Sequence, residues 1–296
     1  MAKDLKHSTE HALGLVQRMQ AKTPAKKAIP RMSPNQLPLW RDNYRGLPNA
    51  MARSALFGCA NKNAERSEYK REQITTLGGY IMKYTGTELR QDDEDVFLQI
   101  VHFARMQPLG DVVEISGNAL LKALNWNSSK KSYDRLKDII SRLQEGSIQI
   151  TNENGREGFG GSLVRKFMWK SQDESGSRTK WQIYLEKEII NLFTDDSYSL
   201  LDWEDRMKLG SLAKYLHSFF YTHQNPYPYK VETLQGLSGS KTKSLHTFRR
   251  TLKGALQELV DINFLLSYSI DSALDIVTVE RNTKKTKPLQ ELPSLI

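Results

Sequence analysis

The chain has 296 residues, 39% of them hydrophobic, and 43 Lys and Arg against 34 Asp and Glu give a net charge of +9. That length suits roughly two domains of about 150 residues, and the positive balance points to an acidic partner, of which nucleic acid is the commonest. A single cysteine, Cys59, excludes an internal disulfide framework and a Cys-rich zinc site. No apolar run approaches the ~20 residues of a membrane helix and the first residues lack a signal-peptide core, so a reducing bacterial cytoplasm is the expected setting, with no membrane partner.

Residues 1–34 read as a basic leader, with Lys3, Lys6, Arg18, Lys22, Lys26, Lys27 and Arg31 against Asp4 and Glu10. Its stretch AKTPAKKAIPRMSPN has three prolines and almost no large apolar residue, which predicts a flexible arm able to add non-specific phosphate contacts. QLPLW, residues 36–40, then packs two leucines and a tryptophan around Pro38, which forbids a helix interior. Two readings stay open: a linear motif that docks in a partner's apolar pocket, or an anchor that pins the arm to the protein's own core. A short helix is expected from Pro48 or Asn49 through Ala60.

Residues 65–73 are charged and read as a loop or helix end. The runs 74–77 and 80–84 flank Gly78 and Gly79, as in a hairpin. A helix over 92–106 opens on acids that suit its N-terminal dipole. His102 within it reads as a core-edge or surface histidine rather than a ligand. A strand at 112–115, a helix capped by Ser116 through 124, a turn at 125–129 and a helix over 130–144 come after it. Three β-like runs come next, at 147–151, 161–169 and 179–185. Helix, strand, helix, turn, helix and hairpin is the order of a winged helix-turn-helix, whose third helix enters the major groove.

The second half repeats this order. A long helix is expected over 200–223, broken by NPYPYK, then a short strand or helix at 231–237 and a turn at 238–240. The third helix lies in 239–260, with Leu245, Phe248, Leu252, Ala255, Leu256 and Leu259 as a buried stripe. Its other side carries Lys241, Lys243, His246, Arg249, Arg250 and Lys253, with no acid between Gly239 and Gln257. Wing strands are expected at 264–269 and 276–279. The two turn-helix regions align without gaps at an offset of 112, Leu136 on Phe248 and Ile140 on Leu252.

The predicted fold class is α+β: two tandem winged-helix DNA-binding domains with a flexible basic N-terminal arm. The arm and its linear motif cover 1–48, the first domain 49–192, the second 193–285 and a tail 286–296. Candidate DNA contacts are Lys130, Lys131 and Arg135 in the first domain and Lys241, Lys243, His246, Arg249, Arg250 and Lys253 in the second. Arginine suits bidentate guanine contact and lysine suits phosphate, which makes Arg249 the first candidate for a base-reading residue.

The run LPLWRDNYRGLPNAMARSALFG, continuing through ITTLGGYIMKYTGTELRQDDEDVFLQIVHFAR and into NALLKAL, closely resembles the signature of the TrfA-type plasmid replication initiators. The resemblance covers most of residues 36–145. It implies an initiator that binds origin repeats (iterons) in duplex DNA, promotes opening of an adjacent AT-rich region and recruits host proteins. It further implies a Q-L-x-L-F-like peptide for the polymerase sliding clamp, matched here by Gln36, Leu37, Leu39 and Trp40 with Trp in the Phe position. The replicative helicase, the host initiator and single-stranded AT-rich DNA are the other implied partners. A monomer–dimer equilibrium, with the monomer binding DNA, is implied too. The alternative is a winged-helix transcriptional regulator of a plasmid gene, which shares the fold and never opens DNA.

No enzyme is expected, and no cofactor or metal. GLSGSKT at 236–242 lacks the glycine before Lys241 that a phosphate loop needs. The six histidines include no H-x-H pair for a nicking centre, and the carboxylate pairs Asp92-Asp93 and Asp195-Asp196 read as helix starts.

Overall fold

The computed structural model describes residues 36–283 apart from 62–63, 107, 109–111, 153, 157, 171–179 and 195–196. The expected leader, the Asp195-Asp196 pair and the tail from 284 lie outside the described residues.

The first unit opens on β1 (Tyr44–Pro48), which runs directly into one helical turn, α1 (Asn49–Ala52). The helix expected through Ala60 stops there, because Ser54 bridges to Thr76 and the chain enters β2 (Phe57–Gly58). The charged segment expected as a loop is instead strand β3 (Glu68–Ile74), antiparallel to β4 (Tyr80–Thr87). It lies at the edge of its sheet with most side chains in water, so burial leaves no pattern in its sequence, and charges there discourage pairing with other chains. Gly78 and Gly79, with φ of +94° and +81°, make the turn back into β4. β5 (Leu89–Arg90) pairs in parallel with β2 and leads into α2 (Gln91–Ala104). The Asp93 carboxylate accepts from the Arg90 N–H at 2.7 Å and so caps that helix.

Next come β6 (Val112–Ile115), α3 (Gly117–Ala123) and α4 (Lys130–Glu145). Ser116 caps α3, accepting from the Ala119 N–H, and Ser129 caps α4, accepting from the Ser132 N–H. Strands β7 (Ser147–Asn152), β8 (Gly158–Gly161), β9 (Lys166–Met168) and β10 (Trp181–Tyr184) complete the unit's sheets. The strand expected over 161–169 is split, because β8 pairs with β7 while β9 pairs with β10. The sheets run β3-β4-β7-β8 and β6-β10-β9. The second is the wing of a winged helix-turn-helix whose helices are α2, α3 and α4. After a short 3₁₀ turn (Lys187–Leu192), β11 (Tyr198–Asp202) returns to pair with β1, Tyr44 opposite Asp202.

The second unit holds α5 (Trp203–Met207), α6 (Ser211–Tyr221), β12 (Tyr229–Lys230), α7 (Val231–Leu237), α8 (Leu245–Asp261), β13 (Leu265–Asp271) and β14 (Ile276–Arg281). The single long helix expected over 200–223 is thus a strand, a short helix and a longer one. Asp202 caps α5 by accepting from the Asp205 N–H at 3.0 Å, and Gly210 begins α6. The apolar spacing of two helices in near register mimics one. The second core packs Leu212, Leu216 and Phe219 of α6 against Leu234 of α7, Phe248, Leu252 and Leu256 of α8, and Phe264. The hydrophobic core changes over between Trp203, which belongs to the first cluster, and Leu209, which belongs to the second.

The two units are tied by polar contacts. Arg206 of α5 is fully buried. It donates to Asp95 at 2.7 Å, Glu94 at 2.8 Å and Gln91 at 3.1 Å, all on α2, and to Ser218 of α6 at 2.8 Å. Arg53 donates to the Thr222 hydroxyl and carbonyl at 2.8 and 2.7 Å. The Cys59 N–H donates to the Ser238 carbonyl, and Gly58 meets Gly239 so closely that a Cβ on Gly239 would sit 3.1 Å from the Gly58 Cα. Gly239 also has φ +60°, so two constraints keep side chains out of this junction.

Two histidines give this packing a pH dependence. His102 is buried, and its Nδ1 accepts from the Trp40 indole N–H at 3.1 Å, which requires that nitrogen unprotonated. Burial, with the nearby charges of Arg45 and Arg105, pushes its pKa down to about 3. Burial and the charge of Arg53 push His223 down to about 4. In the unfolded chain both take a proton near the ordinary value of about 6.5. Stability is therefore intact above that pH and is lost as pH falls from it toward 4. We expect the Tm at pH 5 to lie below that at pH 7.5, and the difference to shrink in a His102→Gln/His223→Gln variant. An equal fall in the variant would place the effect on other groups.

Candidate nucleic-acid interface

Helix α8 begins where Ser244 accepts from the Thr247 N–H at 3.3 Å, and it buries Phe248, Leu252, Ala255, Leu256 and Leu259. The opposite face presents His246, Arg250, Lys253, Gly254 and Gln257 to solvent. A glycine inside a helix costs about 1 kcal/mol relative to alanine, yet a Cβ on Gly254 would meet nothing within 4 Å. Packing does not require it. What its bareness provides is close approach of the helix backbone to whatever this face meets.

Two of the six candidates in this unit are engaged within the protein. Arg249 lies to the side of the exposed face and donates from Nε to Asp275, in the β13–β14 turn, at 2.8 Å. This hydrogen bond raises its pKa, and it ties the helix to the wing. Lys241 turns back to the first unit. It pairs with Glu88 at 2.5 Å and donates to the Glu65 carbonyl and the Ser67 hydroxyl. Burial works against the Glu88 carboxylate, but hydrogen bonds from Arg90, Lys241 and the Ser67 N–H outweigh it and hold its pKa below the ordinary value. Lys243, His246, Arg250 and Lys253 remain exposed.

Helix α4 is less uniform. Lys130 and Lys131 are exposed at its start, but Asp134, Asp138 and Glu145 share the outer surface. Arg135 is drawn aside, 2.9 Å from Asp92 and 4.0 Å above the Trp126 ring. Burial opposes ionisation of Asp92, yet the hydrogen bond from Arg135 and the charges of Arg66 and Arg142 keep its pKa low. Arg142 and Arg66 hold Asp93 at 2.5 and 2.6 Å. The acids at the start of α2 are thus ion-pair partners as well as dipole partners. Among the described residues the wing of this unit is mainly cationic, with Arg165, Lys166, Lys170 and Lys180 exposed and Glu114 as the acid, 4.0 Å from Lys180. The second wing, over β13 and β14, has Asp271, Asp275 and Glu280 and no cation before Arg281. The units therefore differ in kind: one pairs a basic helix with an acidic wing, the other a mixed helix with a basic wing.

The QLPLW stretch is part of the first core. Gln36, Leu37 and Trp40 are 2%, 0% and 7% exposed, and only Leu39 is half-buried. The Gln36 amide donates to the Arg105 carbonyl at 2.9 Å, and Trp40 stacks on Phe193 with ring centroids 6.2 Å apart. Of the two readings of this peptide, the structure shows the core anchor. The partners that take up Arg249, Lys241 and Arg135 could not be found by inspecting the helices, since Asp275, Glu88 and Asp92 lie far from them in sequence. Among the described residues no group of His, Cys, Asp and Glu could hold a metal ion, and no helix is long and apolar enough to cross a membrane.

A family model described as TrfA protein matches residues 15–279. The plasmid replication initiator protein TrfA of Escherichia coli is 30% identical over 222 residues, covering 74% of this chain and 58% of its own length. The chain therefore spans well under two thirds of that relative. Among solved structures, domains 2 and 3 of RctB superpose with a TM-score of 0.52 at 14% identity, over 77% of this chain and 96% of that one. A second RctB structure of those domains gives 0.52 at 13% identity, over 72% and 85%. At these identities the likeness speaks for the tandem winged-helix fold alone.

Proposed function

The chain belongs to the TrfA family, and from that premise we propose that it is a plasmid replication initiator that binds repeated sites in duplex origin DNA. The observation that carries this reading is the cationic exposed face of the first turns of α8, with Arg250 and Lys253 around a bare Gly254 and no acid before Glu258. Arg250 takes the base-reading role first expected of Arg249, which is bound to Asp275. Lys130 and Lys131 and the basic first wing supply phosphate contacts to the adjoining turn of duplex. Because the units are tied at Arg206, Arg53 and Gly58, they meet DNA as one stiff body. DNA must then bend or strain to satisfy both heads, at a cost of about 1–6 kcal/mol drawn from the contacts. That strain supports the further proposal that binding favours opening of an adjacent AT-rich segment. Recruitment of the sliding clamp through residues 36–40 requires the peptide to leave its core.

Footprinting on the plasmid that encodes the chain tests the reading. A ladder of protected segments spaced by whole helical turns is the expected result. Arg250→Ala should cost about 1–3 kcal/mol and relax preference at one base position, whereas Lys253→Ala should weaken all sequences alike. Protection without periodicity would favour a transcriptional regulator at a single operator.

A further inference from the structure

The outward face of the sheet β3-β4-β7-β8 is turned away from the first unit's core. Strand register places Gln73, Lys83, Gln149 and Gly160 on one rung and Thr85 with Ser147 on another. The alternate residues Met82, Tyr84, Ile148, Ile150 and Phe159 are buried beneath. Arg71 sits in a bulge, where register shifts between Tyr69 and Glu72, with φ +57°. Its N–H donates to the Thr85 hydroxyl at 3.0 Å. A left-handed conformation costs a non-glycine residue about 1–2 kcal/mol, and bulges re-aim side chains at functional edges. On the opposite rim, Gly155 at φ +63° turns the β7–β8 connection and presents Arg156.

Between these rims lies a concavity of about 490 Å³ lined by Arg71, Lys83 and Arg156, with Thr85, Gln149 and Thr151 among the polar groups. Among the described residues no carboxylate lines it. Glu153 and Glu157 flank Arg156 in sequence and lie outside the described residues. Cations spaced among hydroxyls and amides suit phosphate oxygens, which accept from all of them. Aromatic platforms, the mark of base stacking, are not offered: Phe159 touches the hollow but is only 5% exposed. A Cβ on Gly160 would meet nothing within 4 Å, so the sheet there leaves room for a backbone to lie along it, whereas Gly158 is bare because a Cβ would strike the Ile150 carbonyl of β7.

We propose that this sheet face binds the phosphodiester backbone of a second stretch of DNA, one not held by the reading helices. It rests on the reading above only in taking DNA as the ligand. Because the hollow offers cations and hydroxyls but no stacking platform, the occupant is duplex continuing past the protected repeat rather than a displaced strand.

The test is a full-length Arg71→Asn/Lys83→Gln/Arg156→Gln variant, Asn being a residue that accepts the left-handed conformation. Binding is measured across a salt series on three probes: a duplex trimmed to one footprint, a long duplex and a single-stranded oligonucleotide. Loss of three phosphate contacts lowers the slope of log K against log salt by about 2.7 on duplex or about 2.1 on a single strand. A fall on the long duplex with the trimmed one unchanged assigns the flank. A fall on the single strand with the long duplex unchanged overturns the duplex assignment in favour of a displaced strand. Unchanged slopes on both overturn the proposal, and so does a fall on the trimmed duplex, which would place these residues on the same DNA as α8. Lys83→Gln and Arg156→Gln alone, each worth about 0.9 on duplex, cover the case in which the bulge variant misfolds. If the unaltered protein shows no repeat-specific binding to the trimmed duplex, the reading-helix assignment fails and the sheet assignment is still decided by the other two probes.

Discussion

Replacing Arg206 with Met is expected to destabilise the protein by about 3–5 kcal/mol and to lower its Tm by about 6–20 °C. The guanidinium is fully buried and satisfies two carboxylates, an amide and a hydroxyl at once. Burial works against its charge, but Glu94 and Asp95 outweigh that and raise its pKa further. Without it, Lys214 still reaches Asp95 at 2.5 Å, but Glu94 is left buried without a cation. The penalty is the stranded carboxylate rather than the lost attraction. An Arg206→Met/Glu94→Gln double variant should therefore recover part of the loss, and thermal unfolding of both together with Glu94→Gln alone closes the cycle and gives the coupling. A single variant that melts within a degree or two of the parent would show that the cluster is not what holds α2 to α5 and α6.

The second large effect is expected at Trp40. Trp40→Ala removes a side chain that is 7% exposed, stacks on Phe193 and donates to His102, and such truncations cost about 3–5 kcal/mol. The neighbouring strand is shaped around the ring: a Cβ on Gly46 would lie 2.9 Å from it. If residues 36–40 served only to dock a partner, Trp40→Ala would leave the melting curve alone and abolish clamp binding. Leu39 separates the roles, because it is the one half-buried residue of the stretch. Leu39→Ala is expected to leave the fold in place, so a loss of clamp binding in that variant would support release of the peptide from its core.

Much of the architecture is legible in the sequence wherever local pattern and tertiary setting agree. Ser116 and Ser129 cap the helices that their spacing announces, and the stripe from Leu245 to Leu259 lies where a 3.6-residue period puts it. The misreadings arise where the pairing partner leaves no local pattern. Tyr198–Asp202 is a strand because Tyr44–Pro48 lies beside it, while its leucines continue the helical period of α5 and α6. The charges of Glu68–Ile74 look like a loop until β4 supplies a ladder. At the candidate interface, sequence locates the cations but not their counter-ions. Arg249 and Arg250 are adjacent and alike on paper, and only the fold of the wing brings Asp275 to one and leaves the other facing outward.

The pairing of β1 with β11 has a consequence for how the protein is made. Tyr44 finds its partner in Asp202, so the first unit cannot be completed until residue 202 has left the ribosome. The strand that closes it is the last piece before the second unit begins. Such non-local pairing slows folding, and an unfinished sheet edge is open to other chains until it is paired. The first unit expressed alone and cut before residue 198 would keep that edge permanently, and carrying the cut past Trp203 is the shortest extension that seals it.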